Sequence, residues 1–420
     1  MQLVNSIKNL LPKAKTENVF QRELLWGNIP LIEDHHSCLE YVMKKCFFSK
    51  FKHPYMLYTF HSKITELEEF ALNQKQLDIL KDQTLYIFLY EPISFFTDKF
   101  NRGFYSEFPS NVNITTLKSY ELDSIEIFAK KYNLNIVVCT CEYNIELLQP
   151  QYDSFKLICF DSFIRRQQRQ RPNPIRHLFP DLSKINKKFW SGNWRYTLHR
   201  HIIMSYLANF DGNYSWHFNA NIDNIDHNEW FDVKQLPQDV YAKLKTGANK
   251  LLTTSYSIDH GQLQVDASDL YRTFKPKDHP NTGNDNKLWE SYDQSFCAVV
   301  TESRFAQPFA NFSEKTLIAI RAQIPFIVVA PPNTLEYIKQ FGFKTFDKWW
   351  DESYDQEQDH SRRMVKILNL IEYINSKSLE ELIKIRKEMK SVLRHNYRIN
   401  QKIQYNTTYN LTTKLDSVIL

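Results

Sequence analysis

Glycine is scarce in this chain, with 8 residues in 420. That scarcity excludes the glycine-rich phosphate loops: neither a P-loop nor a dinucleotide fingerprint can be written anywhere. A kinase, an NTPase and a standard nicotinamide enzyme are therefore disfavoured. Any bound phosphate has to be held by arginine, lysine, hydroxyls and helix N-termini instead. Long apolar runs are missing too, and none approaches the length needed to span a bilayer. The first residues, MQLVNSIKNLLPKAK, lack the pattern of a cleavable signal. The expectation is a soluble, cytoplasmic protein. Nor does one sign of charge dominate: 53 basic residues face 48 acidic ones, a net +5. Such a balance does not imply nucleic-acid binding. The mild basic excess suits a phosphorylated small-molecule donor or peripheral contact with a membrane surface. The cysteines are few, and several lie in apolar, strand-like runs. Cys139-Thr140-Cys141 does not have zinc-knuckle spacing, so reduced core thiols are expected.

What the chain does have is most concentrated between Ser295 and Phe346. Phe296–Val300 is an apolar run that reads as a buried strand, closed by Thr301-Glu302-Ser303. Ser313 is placed to cap a helix whose first turn holds Glu314, Lys315 and Thr316 and which runs to about Gln323. Pro325 opens a second strand, Phe326–Ala330. Asn333 is placed to cap another helix, which ends at Gly342. Strand–helix–strand–helix is the pattern of a parallel α/β sheet. Glu302 and Glu314 lie at a strand C-terminus and a helix N-terminus, where open α/β sheets bind ligands.

The first half alternates in the same way. Tyr55–Phe60, Leu85–Tyr90, Leu134–Thr140 and Lys156–Phe160 are strand-like. Glu66–Asp82 and Ser119–Tyr132 carry apolar residues at helical spacing. Arg165–Arg171, followed by Pro172 and Pro174, reads as a basic linker. Beyond it Lys188–Trp194 is a strand, Leu198–Asn209 an amphipathic helix, Asn213–Asn219 extended and Asp232–Leu252 mostly helical. His360–Ser376 and Ser378–Tyr405 form a helical tail. This divides the chain into an α/β domain over 1–180, a second over 181–405 and a polar tail over 406–420.

Several constellations could carry chemistry. Glu302 with Ser313-Glu314-Lys315-Thr316 offers a carboxylate for vicinal hydroxyls, and a lysine and hydroxyls at a helix N-terminus for a diphosphate. The plainer reading is a capped helix with a solvated Glu-Lys turn. Arg195, His199 and Arg200 offer a fork of donors for phosphate; the plainer reading is an exposed basic helix start. Glu91, after the second strand, is a candidate general base, and His61, after the first, a candidate to line a cleft. Asp34-His35-His36 resembles metal-ligand material but has no partner spacing, so no metal site is expected. The aromatic and acidic stretch Phe343–Asp355 either contacts a sugar or pins a loop to the core.

Together these blocks resemble glycosyltransferases of the two-Rossmann GT-B architecture, nearest to uncharacterised viral and bacterial members and more distantly similar to the α-1,3-fucosyltransferase family. The resemblance covers mainly residues 188–355. It rests on Glu302-Ser303, Ser313-Glu314-Lys315-Thr316 and Pro325-Phe326-Ile327, and on Asn193-Trp194-Arg195-Tyr196-Thr197-Leu198-His199-Arg200, in which Trp194 stands where the family has an arginine. It implies two Rossmann-like domains facing across a cleft, followed by C-terminal helices. It also implies a UDP- or GDP-sugar donor held by the second domain and a carbohydrate or glycoconjugate acceptor held by the first. By position, Glu314 would hold the ribose hydroxyls, and Lys315 with Arg195 the diphosphate, without bound metal or other cofactor. Glu91 and His61 are the expected catalytic residues. A viral member would act in the host cytoplasm. A non-catalytic carbohydrate-binding protein on a transferase scaffold is the alternative, and the basic tract leaves a nucleic-acid-modifying protein as a third reading. The sequence leaves the oligomeric state open.

Overall fold

The structure is a computed structural model. It describes residues 55–60, 84–89, 112–140, 142–159, 179–193, 196–216, 236–253, 257–258, 284–310 and 312–402, with isolated positions between 74 and 110. The chain forms two compact units. One comprises Met1–Phe104, Asn113–Arg169 and Gln404–Leu420; the other comprises Tyr105–Val112 and Gln170–Ile403. Both are built on parallel sheets with helices, so the protein is mixed α/β.

The first unit holds a four-stranded parallel sheet in sequential order: β1 (Tyr55–Phe60), β2 (Thr84–Leu89), β3 (Asn135–Thr140) and β4 (Phe155–Cys159). Helix α1 (Tyr120–Tyr132) leads into β3. Its N-cap Ser119 accepts the Leu122 N–H, acids occupy its first turn and lysines its last, and Asn133 ends it in the left-handed region. Each feature stabilises a helix end. The outer edge of β4 would be an open hydrogen-bonding edge. A short 3-10 segment, Ile145–Gln151, covers it with side chains. The Gln149 side chain accepts the Leu157 N–H at 2.7 Å and donates to the Phe155 carbonyl at 2.7 Å, and Glu146 accepts the Cys159 N–H at 2.9 Å.

Among the described residues, the second unit holds five strands. They are β5 (Lys187–Asn193), β6 (Gly212–Trp216), β7 (Ser257–Ile258), β8 (Ser295–Thr301) and β9 (Phe326–Val329), arranged β7-β6-β5-β8-β9. All neighbours are parallel except β7, a two-residue antiparallel edge strand. The chain builds outward from β5 in one direction, then returns to place β8 on its other side. Strand order reverses between β5 and β8, and in open parallel sheets such a reversal leaves a crevice at the strand C-termini. All of β8 and β9 is buried, as expected of strands covered on both faces.

Among the described residues the helices of this unit are α2 (Leu198–Leu207), α3 (Gln238–Thr253), α4 (Asn284–Asp293), α5 (Glu314–Arg321), α6 (Thr334–Gln340), α7 (His360–Asn375) and α8 (Leu379–Glu388). The expected amphipathic helix after β5 is instead buried at all ten positions, His199, Arg200 and His201 included. One reason is the close crossing of α3: a Cβ placed on Gly247 would lie 1.6 Å from the Ser205 carbonyl oxygen of α2. The helix expected to run unbroken from Ser378 breaks after α8, at buried Met389, and resumes over 390–402. Arg386 of α8 is buried and reaches back under the sheet, donating to the carbonyls of Ser295, Phe296 and Gln323. It thereby satisfies backbone at the start of β8 and at the left-handed Gln323 that follows α5.

Candidate functional site

The site is built at the C-terminal ends of β5 and β8. Their ladder pairs Lys187 with Ser295, Phe189 with Cys297 and Trp190 with Ala298. Further along, side chains join the strands. The Ser191 hydroxyl donates to the Val299 carbonyl at 2.9 Å, Asn193 donates to Ser191 at 3.1 Å, and the Thr301 hydroxyl donates to the Asn193 side-chain oxygen. These three polar side chains are buried and mutually satisfied, which is the condition for a stable interior network.

Glu302, 1% exposed, follows immediately. Its carboxylate accepts the Ser313 N–H at 3.0 Å, the Ser313 hydroxyl at 2.5 Å and the Thr316 hydroxyl at 2.7 Å. It is thus spent on the N-terminus of α5, where a negative charge is favoured by the helix dipole and by charge-assisted hydrogen bonds. Lys315, in the first turn, is half-buried. Its Nζ donates to the hydroxyls of Ser303 at 3.3 Å and Ser313 at 3.2 Å.

The backbone of Glu302 is held from the other side. Its carbonyl lies 2.9 Å from His199 Nε2 and 3.3 Å from Arg200 Nη2, both on the first turn of α2. A carbonyl only accepts, so Nε2 carries the imidazole proton. Burial pushes the His199 pKa down to about 3, helped by the charges of Arg200, Arg363 and Lys315. His199 is therefore a neutral positioning group at physiological pH, stacked on Phe305 at 5.7 Å.

Residues that the sequence did not single out complete the support. Arg363 of α7 lies over the other side of the same cluster, its guanidinium 4.2 Å from the Phe305 ring centroid. It donates to the carbonyls of Phe305 at 2.8 Å and Glu357 at 2.9 Å and to His360 Nδ1 at 2.9 Å. His360 Nε2 in turn donates to the Phe108 carbonyl at 2.8 Å, and the Phe108 N–H donates to the Ala306 carbonyl at 2.7 Å. Burial pushes Arg363 down to about 9 and His360 to about 3. A local signal for Arg363 existed: an arginine in a first helical turn opposes the dipole and needs another reason to be there. Nothing local could announce Phe108, which joins this unit from far along the chain.

Of the residues expected to bind a donor, the structure brings His199, Arg200, Glu302, Ser313, Lys315 and Thr316 together. For Glu314 it describes only the backbone, at the start of α5. Arg195, Glu91, His61, the Asp34-His35-His36 stretch, the Arg165–Arg171 tract and the 406–420 tail lie outside the described residues. Asn333 sits at the N-cap position of α6 but in the left-handed region, and its side chain makes no capping bond. Asp355 caps the helix instead, accepting the N–H groups of Leu335 at 2.8 Å and Glu336 at 3.2 Å. The aromatic stretch packs inward. Phe346 meets Phe326 of β9 edge-on at 5.0 Å and Trp350 at 5.2 Å. Among the described residues no group of three His, Cys, Asp or Glu side chains could hold a metal, and no helix is long and apolar enough to cross a membrane.

No protein-family model matches the chain, and neither a curated protein nor a solved structure resembles it significantly. Chemically, the arrangement is a concentration of cations and hydroxyls at the C-terminal ends of β5 and β8. Most of the cations are buried in holding backbone. Lys315, with Ser303, Ser313 and the N–H groups of the first turn of α5, is the part within reach of an anion.

Proposed function

We propose that the protein is a glycosyltransferase that moves a sugar from a nucleotide-sugar donor to a carbohydrate or glycoconjugate acceptor. The proposal includes the GT-B arrangement of two Rossmann-like domains. The observation that carries it is the convergence of His199, Arg200, Glu302, Ser313, Lys315 and Thr316 at the reversal of strand order between β5 and β8. That is the place where open parallel sheets bind nucleotides, and among these residues Lys315, Ser313 and the first turn of α5 supply anion recognition without glycine loops. In this reading Lys315 and the hydroxyls of Ser303 and Ser313 meet the diphosphate. Glu302, His199 and Arg200 hold the loop that carries Ser303. The departing diphosphate's charge is stabilised by donors already in place. Calorimetry with UDP and GDP on the folded protein tests this. Binding is expected, weakened about tenfold or more in Lys315→Ala through loss of one charge-assisted contact. Absence of binding to either nucleotide removes the proposal.

A second reading keeps the sugar but not the reaction. The Glu302 carboxylate is fully engaged by Ser313 and Thr316, and His199 and Arg200 are enclosed by the loop they hold. Few groups at this end of the sheet are then free for chemistry, which favours a carbohydrate-binding protein on a transferase scaffold. Donor hydrolysis separates the two: slow release of free sugar, lost in Lys315→Ala, supports the enzyme.

A further inference from the structure

The last helical stretches carry a charge pattern that the site does not use. Over 382–402 the chain has a single acid, Glu388, against a run of lysines and arginines. Lys384, Lys387, Lys390, Arg394, Arg398 and Lys402 are all exposed. They recur every three or four residues, the repeat of one helix face. Leu382, Met389 and Leu393 form the buried side, and Arg386 is turned inward onto backbone carbonyls. Met389 keeps a right-handed helical backbone, and bonds from its N–H to Ile385 and from Leu393 to its carbonyl, both 3.0 Å, carry the helical path across the break. The cations therefore form one ridge, about 27 Å long at a rise of about 1.5 Å per residue. Elsewhere on the surface Lys130, Lys187, Lys243 and Lys366 each meet a carboxylate. Among the described residues none of the ridge cations is ion-paired. Glu388 instead accepts the Trp349 indole N–H at 3.2 Å. Like charges at this spacing repel and weaken a helix; an anionic partner turns the same pattern into attraction.

We propose that this ridge docks the protein on a membrane leaflet rich in anionic lipid. Clusters of about four to eight basic side chains on a helix face attract such headgroups. The apolar side of these helices is already buried in the protein, so docking is adsorption to headgroups without insertion of a helix. Half-buried Trp349, with Lys348 Nζ 5.4 Å from its ring centroid, stands beside the ridge, and tryptophan suits the headgroup level. A flat surface fits this geometry better than a nucleic-acid groove does. A major groove about 12 Å wide admits one helix of about that diameter and nothing beside it. Here the 342–349 turn walls one flank. The His395 ring donates to the Gly342 carbonyl at 2.8 Å, and the Asn396 amide accepts from the Lys344 N–H and donates to its carbonyl, both at 2.8 Å. Docking of this kind is independent of the reaction proposed above.

Co-sedimentation of the full-length chain with vesicles tests it. Binding is expected to phosphatidylcholine mixed with phosphatidylserine and not to phosphatidylcholine alone, and it is expected to fall as salt is raised. Each ridge cation removed is expected to weaken it about fivefold, so Lys387→Gln combined with Arg394→Gln about twenty-five-fold. Lys118→Gln combined with Lys245→Gln removes the same charge from exposed positions elsewhere and is expected to change it little. No binding to the mixed vesicles, equal binding to both compositions, or equal binding by the two double variants overturns the docking surface. Salt-sensitive binding to duplex DNA without binding to vesicles also overturns it and gives the ridge to nucleic acid. Should the ridge variant not fold, acetylation footprinting of wild-type lysines decides. Mixed vesicles are expected to shield Lys384, Lys387 and Lys390 but not Lys118 and Lys245, and unchanged labelling of the ridge overturns docking there.

Discussion

Gly247 shows how much a single residue decides here. It faces the Ser205 carbonyl across the α2–α3 crossing so closely that no side chain fits. Gly247→Ala is expected to force the helices apart and to cost about 3 kcal/mol, the upper end for overpacking, partly offset by alanine's better helix propensity. Urea denaturation checks this; an unchanged midpoint would mean that the helices can separate freely. Arg386 acts at the same scale: one guanidinium answers three backbone carbonyls, two at the start of β8 and one after α5, although burial pushes its own pKa down to about 9. Residue type and position made Ser313, Lys315 and Thr316 legible in the sequence as a helix start. That Glu302 would be the partner of Ser313 and Thr316, rather than a free ligand for hydroxyls, was not legible. Its three donors lie 11 to 14 residues on and meet it only after a loop has folded back.

Elements are set by local signals where their caps are local. Ser119, Ser313 and Ser378 cap the helices they precede, and Ser378 forms a full capping box with Glu381. Helix α6 departs from this rule, since Asp355, far along the chain, replaces Asn333. Asp355→Ala is accordingly expected to cost about 1–2 kcal/mol, the usual range for a lost cap, whereas Asn333→Ala removes no capping bond. Chemical denaturation of the two variants side by side gives the comparison, and equal effects would contradict the assignment. Strand β7 escaped notice because two residues at an edge carry no period. The 3-10 cover on β4 escaped it because a glutamine in place of a strand partner has no sequence signature.

Across the whole molecule, buried histidine is the property with the widest consequence. His199, His201 and His360 are driven down from 6.5 to about 3, 4 and 3, each with burial as the largest cause. Below 6.5 the unfolded chain takes up protons that the folded chain refuses, so their contribution is complete above that pH and is lost as pH falls toward 4. Each fully responding histidine gives about 1.4 kcal/mol per pH unit. Thermal melts across this range are expected to show steep acid destabilisation, shallower in His201→Asn if that variant folds; a flat profile would place the imidazoles in water. Runs of apolar residues and helix starts and stops were enough to determine an α/β protein with parallel sheets, because such signals act between near neighbours in the chain. Tertiary structure alone decided that β8 returns beside β5, that Phe108 crosses to the loop after β8, and that Glu302 and Asp355 serve helix ends. Those contacts join distant segments, and burial and hydrogen-bond satisfaction select them only once the whole unit is assembled.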